Sequence, residues 1–520
     1  MFDLLIVGGR LVDGTGNPWY RADIAVRDGQ IVAIGHLRGA LARRTINADG
    51  LVVSPGFIDV HVHSDVMLLA EPEHEGQVRQ GVTTELLGQD GMSYAPVSPE
   101  TLPFWREYLA GVGGAPDIDW SWQTVGEYLA RFDRQVAVNV AYLIPHGNVR
   151  YEVMRMEQRP PTPEELARMQ SLVAQGMADG AVGLSTGLFY VPGVYANTDE
   201  LIALCRPVAE AGGVYVTHMR DYGAHYRESL AEVFTIGREA HLPVHISHLN
   251  LRAEALPLID QAREAGIEVT FDTYPYLAGC TLLVALLPTW VQEGGIRATV
   301  ARLRQPEVRA RLRQTVEAPT ARWDLVTIAV VTKPEHQPYG GMTIPDAARL
   351  ARQDLTDFIA DLLVSENLAV TIIAHHAYRT EEDMRAILRH RAQMVGTDGV
   401  LLGTHPHPRG FGTYPRLLGR YVREEEVLEL EECVRKMTSL PAQLIGLQGR
   451  GLLREGFAAD IVCFDPNVVI DRATYEEGRR PPDGIPYVMV NGVLVVDGEK
   501  HTGALPGRSL KPRLAPKRMK

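Results

Sequence analysis

Apolar positions along the chain follow two rhythms. Near the N-terminus, "DLLIVGGRLVDG", "ADIAVRDGQIVAIG" and "RTINADGLVVSPG" give short apolar runs broken by Gly, Asp and Asn, with an Asp-Gly hairpin signal among them. The same style returns in "ADIVCFDPNVV", "PYVMVNGVLVVDGEK" and "HTGALPGRSL", where Asn-Gly sits between β-rich runs. Strands are expected at both ends, arranged most simply as one small β-sandwich domain built from residues 1–54 and 450–510. Two separate β modules would leave the same pattern.

The middle, residues 55–449, alternates short apolar runs with helical periodicity. The runs are "VAVNVAYLIPHG", "GAVGLSTG", "GVYVTHMR", "LPVHISH", "IEVTFDTYPY", "LAVTIIAHH" and "AQMVGTDG". Segments such as "TPEELARMQSLVAQGMA" and "RESLAEVFTIGREAH" separate them. Strand and helix recurring at roughly thirty-residue spacing indicate parallel βα units. No glycine-rich nucleotide fingerprint follows a strand, so the pattern predicts an α/β fold of the (β/α)8 TIM-barrel type rather than an open doubly wound sheet. Residues 285–345 break the rhythm and read as an inserted, lid-like helical segment, placed where barrel insertions often cover the active site.

Polar residues stand at the C-terminal ends of these runs. "GFIDVHVHSD" puts His61 and His63 two apart, facing the same way; "VYVTHMR" ends in His218, "VHISHLN" in His248 and "MVGTDG" in Asp398. In a parallel barrel those ends converge on one face, where active sites are built. Four imidazoles and a carboxylate there point to a metal site, since N and O donors suit Zn²⁺ and related ions. His245 lies three residues before His248 and faces the other way, as a satisfied core residue; His375, His376, His405 and His407 read as surface or cavity-lining. Asp90, in "GVTTELLGQDGMSYAP", is ambiguous. Asp-Gly is ordinary turn chemistry, yet an acid just past an apolar strand is also where a ligand would stand.

Composition removes several function classes. A net charge of −12 argues against a partner bound through its phosphates, and only "KPRLAPKRMK", residues 511–520, is strongly basic, as expected of a solvated tail. No apolar run approaches the roughly 18–20 residues that span a bilayer, and "MFDLLIVGGR" lacks the basic start of a signal peptide. The four cysteines show no CxxC spacing, which fits reduced thiols in a cytoplasmic protein. There is no lysine before Lys333.

"PGFIDVHVHSD" and "GLLREGFAADIVCFDP" resemble the amidohydrolase superfamily. More narrowly, "GLSTGLFYVPGVYA", "VTHMRDYG", "FDTYPYLAG", "GTDG", "GTYPRLLGRYVRE" and "RKMTSLPA" resemble the N-acyl-D-amino-acid deacylase (D-aminoacylase) family. The resemblance implies metal-assisted removal of the acyl group from a small N-acyl-D-amino acid. It implies a tightly held zinc at His218 and His248, a second position at His61 and His63, and Asp398 as the catalytic acid/base. Ser185, Tyr190 and Arg220 are implied to contact substrate, the last two at its carboxylate.

The chain departs from that pattern in three places. Asp90 stands where the family usually has a zinc-ligating cysteine, and the absence of early lysines removes the carboxylated lysine of other amidohydrolases. Asp90 is therefore expected as the anionic ligand in preference to Glu85, and its harder oxygen admits Mn²⁺ or Co²⁺ beside Zn²⁺, in one or two positions. Leu249-Asn250 replaces the family's His-Lys, and Cys280 replaces a serine. These changes keep a cyclic amide or imide hydrolase, of the hydantoinase and dihydroorotase kind, as the alternative. A non-catalytic scaffold on this fold is disfavoured, because all four histidines and Asp398 are present.

Overall fold

A computed structural model of the protein describes residues 1–512; residues 513–520, most of the basic tail, lie outside the described residues. Eight strands form a parallel sheet that pairs in sequence order: Phe57–Asp59, Val82–Leu87, Asn139–Pro145, Gly183–Gly187, Val214–His218, Val244–Ile246, Val269–Thr273 and Gln393–Val395. Every residue of the second and third strands is buried, as expected where one face packs the barrel interior and the other meets helices. The helices Pro163–Asp179 and Thr198–Glu210 start on local signals: Thr162 and Glu165 form a capping box, and Asn197 accepts from the Glu200 N–H.

The ring closes between its eighth and first strands through a few backbone bonds, His63 N to the Gly399 carbonyl at 3.0 Å among them, and through side chains, without a continuous ladder. Only a Val62–Gly399 bridge joins them as β-structure. Asp59, at the end of the first strand, accepts from Thr397 N at 2.9 Å and Thr397 Oγ1 at 2.6 Å, and Asp398 N donates to the His61 carbonyl at 2.7 Å. This seam therefore fixes His61 relative to Asp398.

Two further sheets lie beside the barrel. One is four-stranded and comes wholly from the first fifty residues; the other is seven-stranded and mixes Arg10–Leu11, Tyr20–Arg21 and Val52–Pro55 with four strands from Ile461–Phe464 to Lys500–His501. Leu4, Ile24, Ile31, Ile461 and Met489 share their core.

The interruption of the barrel is larger than the periodicity predicts. Between the seventh and eighth strands stands a three-stranded antiparallel sheet of Ala278–Leu282, Val326–Val330 and Thr371–His375, with Thr371–His375 in the middle. Helices including Gly295–Leu303, Pro306–Val316 and Leu355–Ser365 belong to the same insertion and pack on one another. "LAVTIIAHH", expected in the barrel, is thus the centre of an inserted sheet. A strand covered on both faces reads as a continuous apolar run wherever it sits, so the pattern cannot tell the two apart. Among the described residues no helix is long and apolar enough to cross a membrane.

Candidate metal centre

His218 closes the fifth strand; His61 and His63 follow the first, Asp90 the second, His248 the sixth and Asp398 the eighth. The barrel brings all of them together. Asp90 stands at the centre, with Oδ1 3.5 Å from His61 Nε2. Its Oδ2 lies 3.5 Å from His63 Nε2, 3.5 Å from His218 Nδ1 and 3.7 Å from His248 Nε2. Asp398 Oδ1 lies 3.2 Å from His63 Nε2 and 3.7 Å from His61 Nε2.

Most of these separations are too long for good hydrogen bonds. Both ring nitrogens of His61, Nδ1 of His218, Nδ1 of His248 and Oδ1 of Asp90 are buried without a hydrogen-bond partner. Unpartnered polar atoms are costly in a finished fold, and a cluster of them turned inward calls for a cation. The donors form three overlapping sets with their atoms within 4.8 Å of one another: His61, His63 and Asp90; Asp90, His218 and His248; His61, His248 and Asp398. Asp90 joins the first two. Imidazole and carboxylate donors in that number fit one or two divalent ions.

Charge within the cluster is mutually supporting. Burial would raise the Asp90 carboxyl, but His61 and His218 hold it well below the usual carboxylate range. Burial would likewise raise Asp398, but the Arg409 guanidinium, with Nη1 2.8 Å from Oδ2, and the nearby His248 and His63 keep it low. Both acids are ionised at neutral pH. Burial alone would lower His63; hydrogen bonds and charge from Asp398 and Asp90 lift it to about 10 in the metal-free cluster, so binding an ion there would release its proton.

The turn carrying Asp90 is built for that placement. Asp90 has φ 54°, and His248 and Asp398 also lie at positive φ, 31° and 50°. Non-glycine residues seldom adopt this region, and their clustering marks a site whose surroundings enforce it. Gln89 Nε2 donates to the carbonyls of Val60 and Leu86 at 2.8 and 2.9 Å. Gly187 passes so close that a Cβ there would lie 2.1 Å from the Asp90 carbonyl oxygen. Ser185 belongs to this support and not to the cavity wall: its buried hydroxyl donates to the Gly88 carbonyl and accepts from Gly91 N at 3.1 Å. The substrate contact expected of Ser185 gives way to a positioning role: its hydroxyl proton and one lone pair serve the turn, and it is absent from the cavity lining.

A cavity of about 360 Å³ opens over the cluster, lined in part by His63, Asp90, His218, His248 and Asp398. Arg220 lines it but is not free to grip a carboxylate. Its Nε and Nη2 lie 2.8 and 3.1 Å from Glu232, and it also donates to the carbonyls of Val194 and Ala196. Tyr190 lines the cavity with its hydroxyl 2.9 Å from Thr281 Oγ1, a link between the barrel and the inserted sheet. Cys280 and Asn250 also line it; Asn250 donates to the Tyr274 hydroxyl and accepts from Arg379, each at 3.0 Å.

The remaining candidates separate cleanly. Glu85 is buried away from the cluster, accepting from Ser64 at 2.6 Å and paired with His74 at 2.7 Å. His245 is buried and satisfied by Thr270 and Asp272. His376 lines the cavity; His407 is buried with Nε2 2.9 Å from the Ala278 carbonyl, while His375 is exposed and His405 half-exposed.

Two residues of the site carry no flag in the sequence reading. Asp272 accepts from the His248 backbone N–H at 2.9 Å and from His245 Nε2 at 3.0 Å, with Oδ2 3.5 Å from His61 Nδ1. It orients two of the four imidazoles. Its place at the end of the apolar run in "IEVTFDTYPY" is the same signal that points to Asp398. Arg409, which holds Asp398, comes from the helix Arg409–Arg416, and no strand-end pattern marks it.

The profile of the amidohydrolase family matches residues 44–496. The D-aminoacylase of Alcaligenes xylosoxydans xylosoxydans is 38% identical, over 98% of this chain and 97% of that protein. The N-acyl-D-glutamate deacylase of the same organism is 35% identical, over 98% and 96%. Among solved structures, the N-acyl-D-glutamate deacylase of Bordetella bronchiseptica, complexed with zinc and a phosphonate mimic of the tetrahedral intermediate, superposes with a TM-score of 0.84 at 34% identity, covering 98% of this chain and 99% of that one. Match and superposition run through both the sheet domain and the barrel, and the chain belongs to the amidohydrolase family, in its D-aminoacylase branch.

Proposed function

We propose that this protein is a metal-dependent hydrolase that removes the acyl group from N-acyl-D-amino acids. One observation carries the reading: His61, His218, His248 and Asp90 hold buried donor atoms without partners, and with His63 and ionised Asp398 they fall into three overlapping ligand sets. The names of the relatives supply the substrate class and the D configuration.

In this reading His218, His248 and Asp90 would hold one ion and His61 and His63, with Asp90 again within reach, a second. Zinc fits the donor set, with Mn²⁺ or Co²⁺ favoured by a carboxylate in place of a thiolate. A bound divalent ion supplies Lewis acidity and lowers the pKa of coordinated water. Asp398 takes the proton of the attacking water as general base and returns it to the leaving nitrogen as general acid. Arg409 keeps Asp398 ionised and aimed, and Asp272 fixes the tilt of His61.

Metal content and turnover test this together. The purified protein is expected to carry one or two divalent ions per chain, lose N-acetyl-D-amino-acid hydrolysis on chelation and regain it on metal addition, with L-isomers slow. A protein that binds no metal, or that opens hydantoins without deacylating N-acyl amino acids, overturns the reading.

A further inference from the structure

Between the strands Ile461–Phe464 and Tyr487–Val490 the chain leaves the seven-stranded sheet and returns to it. An Ile470–Asp483 bridge closes the base of this excursion, and Arg472 and Asp483 pair beside it at 2.7 Å. Beyond the bridge projects an arm, residues 471–482, with no helix or strand of its own. A connection of that length without regular structure is uncommon in a compact domain unless it has work to do.

The arm lies across the stretch of chain that runs from Asp398 to Arg409. Arg479 donates from Nη2 to the Leu401 carbonyl and from Nε to the Gly403 carbonyl, the latter at 3.2 Å. Gly478 passes so close that a Cβ there would overlap the Pro406 carbonyl oxygen. Tyr475 sets its ring 5.2 Å from that of His407 and 4.8 Å from that of His375. His407 in turn accepts the Arg409 backbone N–H on Nδ1 at 3.0 Å. Asp471 reaches the far end of the helix Arg409–Arg416, with Oδ2 3.1 Å from Arg416 Nη1, and accepts from the Tyr276 hydroxyl at 3.3 Å.

The stretch so gripped needs a support. Past the Val62–Gly399 bridge, residues 400–408 form no helix or strand, yet the two ends of the stretch meet in the 2.8 Å ion pair of Asp398 and Arg409. An irregular segment left to itself keeps conformational freedom, and every alternative conformation moves one partner against the other. We propose that the arm is a positioning part of the active site: by holding residues 401–407 it keeps Asp398 and Arg409 in register, so that the sheet domain contributes to turnover as well as to stability. The inference rests on the deacylase reading, in which Asp398 moves the proton, and adds to it a contribution from outside the barrel.

Arg479→Ala tests the grip, since Arg479 is exposed and its truncation opens no void in the core. In the metal-loaded R479A protein, kcat for an N-acetyl-D-amino acid is expected to fall about 10- to 100-fold with KM little changed, the scale and pattern of a displaced reacting group. Metal content should match the wild type, and amide hydrogen exchange in residues 399–408 should quicken. Arg479→Lys, which keeps a donor for one of the two carbonyls, should recover part of the loss. Arg480→Ala removes an ion pair with Glu477 that is exposed on both sides, and should change neither kcat nor exchange. Full kcat in metal-loaded R479A protein overturns the proposal, and so does a fall in kcat without faster exchange in residues 399–408. A wild type that fails to deacylate sinks the deacylase reading instead, and the exchange comparison then decides alone whether the arm holds this segment.

Discussion

Asp90 concentrates the chemistry of this protein in one side chain. Its neighbours place it in two ligand sets, and its backbone makes it a turn; the two descriptions are the same fact, because the left-handed conformation aims the carboxylate at His61, His63, His218 and His248. Asparagine tolerates that conformation and matches the volume but brings no charge. Asp90→Asn is therefore expected to fold normally and to weaken metal retention by more than about 100-fold, the upper figure for losing a mere outer partner. Metal content after dialysis against graded chelator measures it, and full retention would remove Asp90 from the ligand set. Asp90→Cys should retain zinc but lose manganese, since a thiolate is the softer donor. The local sequence leaves Asp90 as one of two possibilities, because nothing nearby separates an aimed carboxylate from a turn former; it is the family resemblance, with a zinc ligand at this position, that makes it the expected ligand. His61, His63, His218, His248 and Asp398 are legible because each ends an apolar run, and period-2 geometry with parallel strands does the rest. Arg220 misleads for the complementary reason: its partner Glu232 is twelve residues away on a helix, and a pairing across elements leaves no mark on spacing.

Among the elements, the inserted sheet is the one whose nature the chain conceals. Its central strand is as apolar as a barrel strand, and its partners come from residues some fifty and ninety positions earlier. The hairpin-like turns that announce the sheet domain are absent from it. The sheet is nonetheless pinned to the barrel by Tyr190 to Thr281, by His407 to the Ala278 carbonyl and by Tyr378 to the Asn250 carbonyl. It is a wall of the cavity and not a loose lid. Ile372, fully buried in the central strand, tests this. Ile372→Ala should destabilise by about 2–5 kcal/mol, as other large-to-small core changes do. If the sheet is a wall, KM for an N-acetyl-D-amino acid should rise while metal content stays unchanged. Substrate kinetics beside metal analysis separates that outcome from a general loss of fold.

For the molecule as a whole, stability depends on pH through groups far from the site. Lys436 is 1% exposed at the opposite end of the barrel, donating to the His390 carbonyl and to Gln393, and burial pulls its ammonium down to about 8. Between that value and the unfolded value near 10.4 the unfolded chain holds the extra proton. The contribution of Lys436 to stability is therefore most favourable above about 10.4 and is lost as the pH falls to about 8. Urea unfolding of the wild type and of Lys436→Met at pH 7 and 9.5 should differ in the wild type's favour by about 2 kcal/mol more at the higher pH. A gap that does not move with pH would show that the ammonium titrates normally.

The seven-stranded sheet also orders events in time. Val52–Pro55 pairs on one side with Arg10–Leu11, made moments earlier, and on the other with Ile461–Phe464, more than four hundred residues later. The barrel in turn waits for Gln393–Val395 to close its seam. During synthesis at about 5–20 residues per second, the chain thus spends tens of seconds with an open sheet edge and an incomplete ring. The seven-stranded sheet is thus begun before the barrel and finished after it, with an unpaired edge exposed through the interval between.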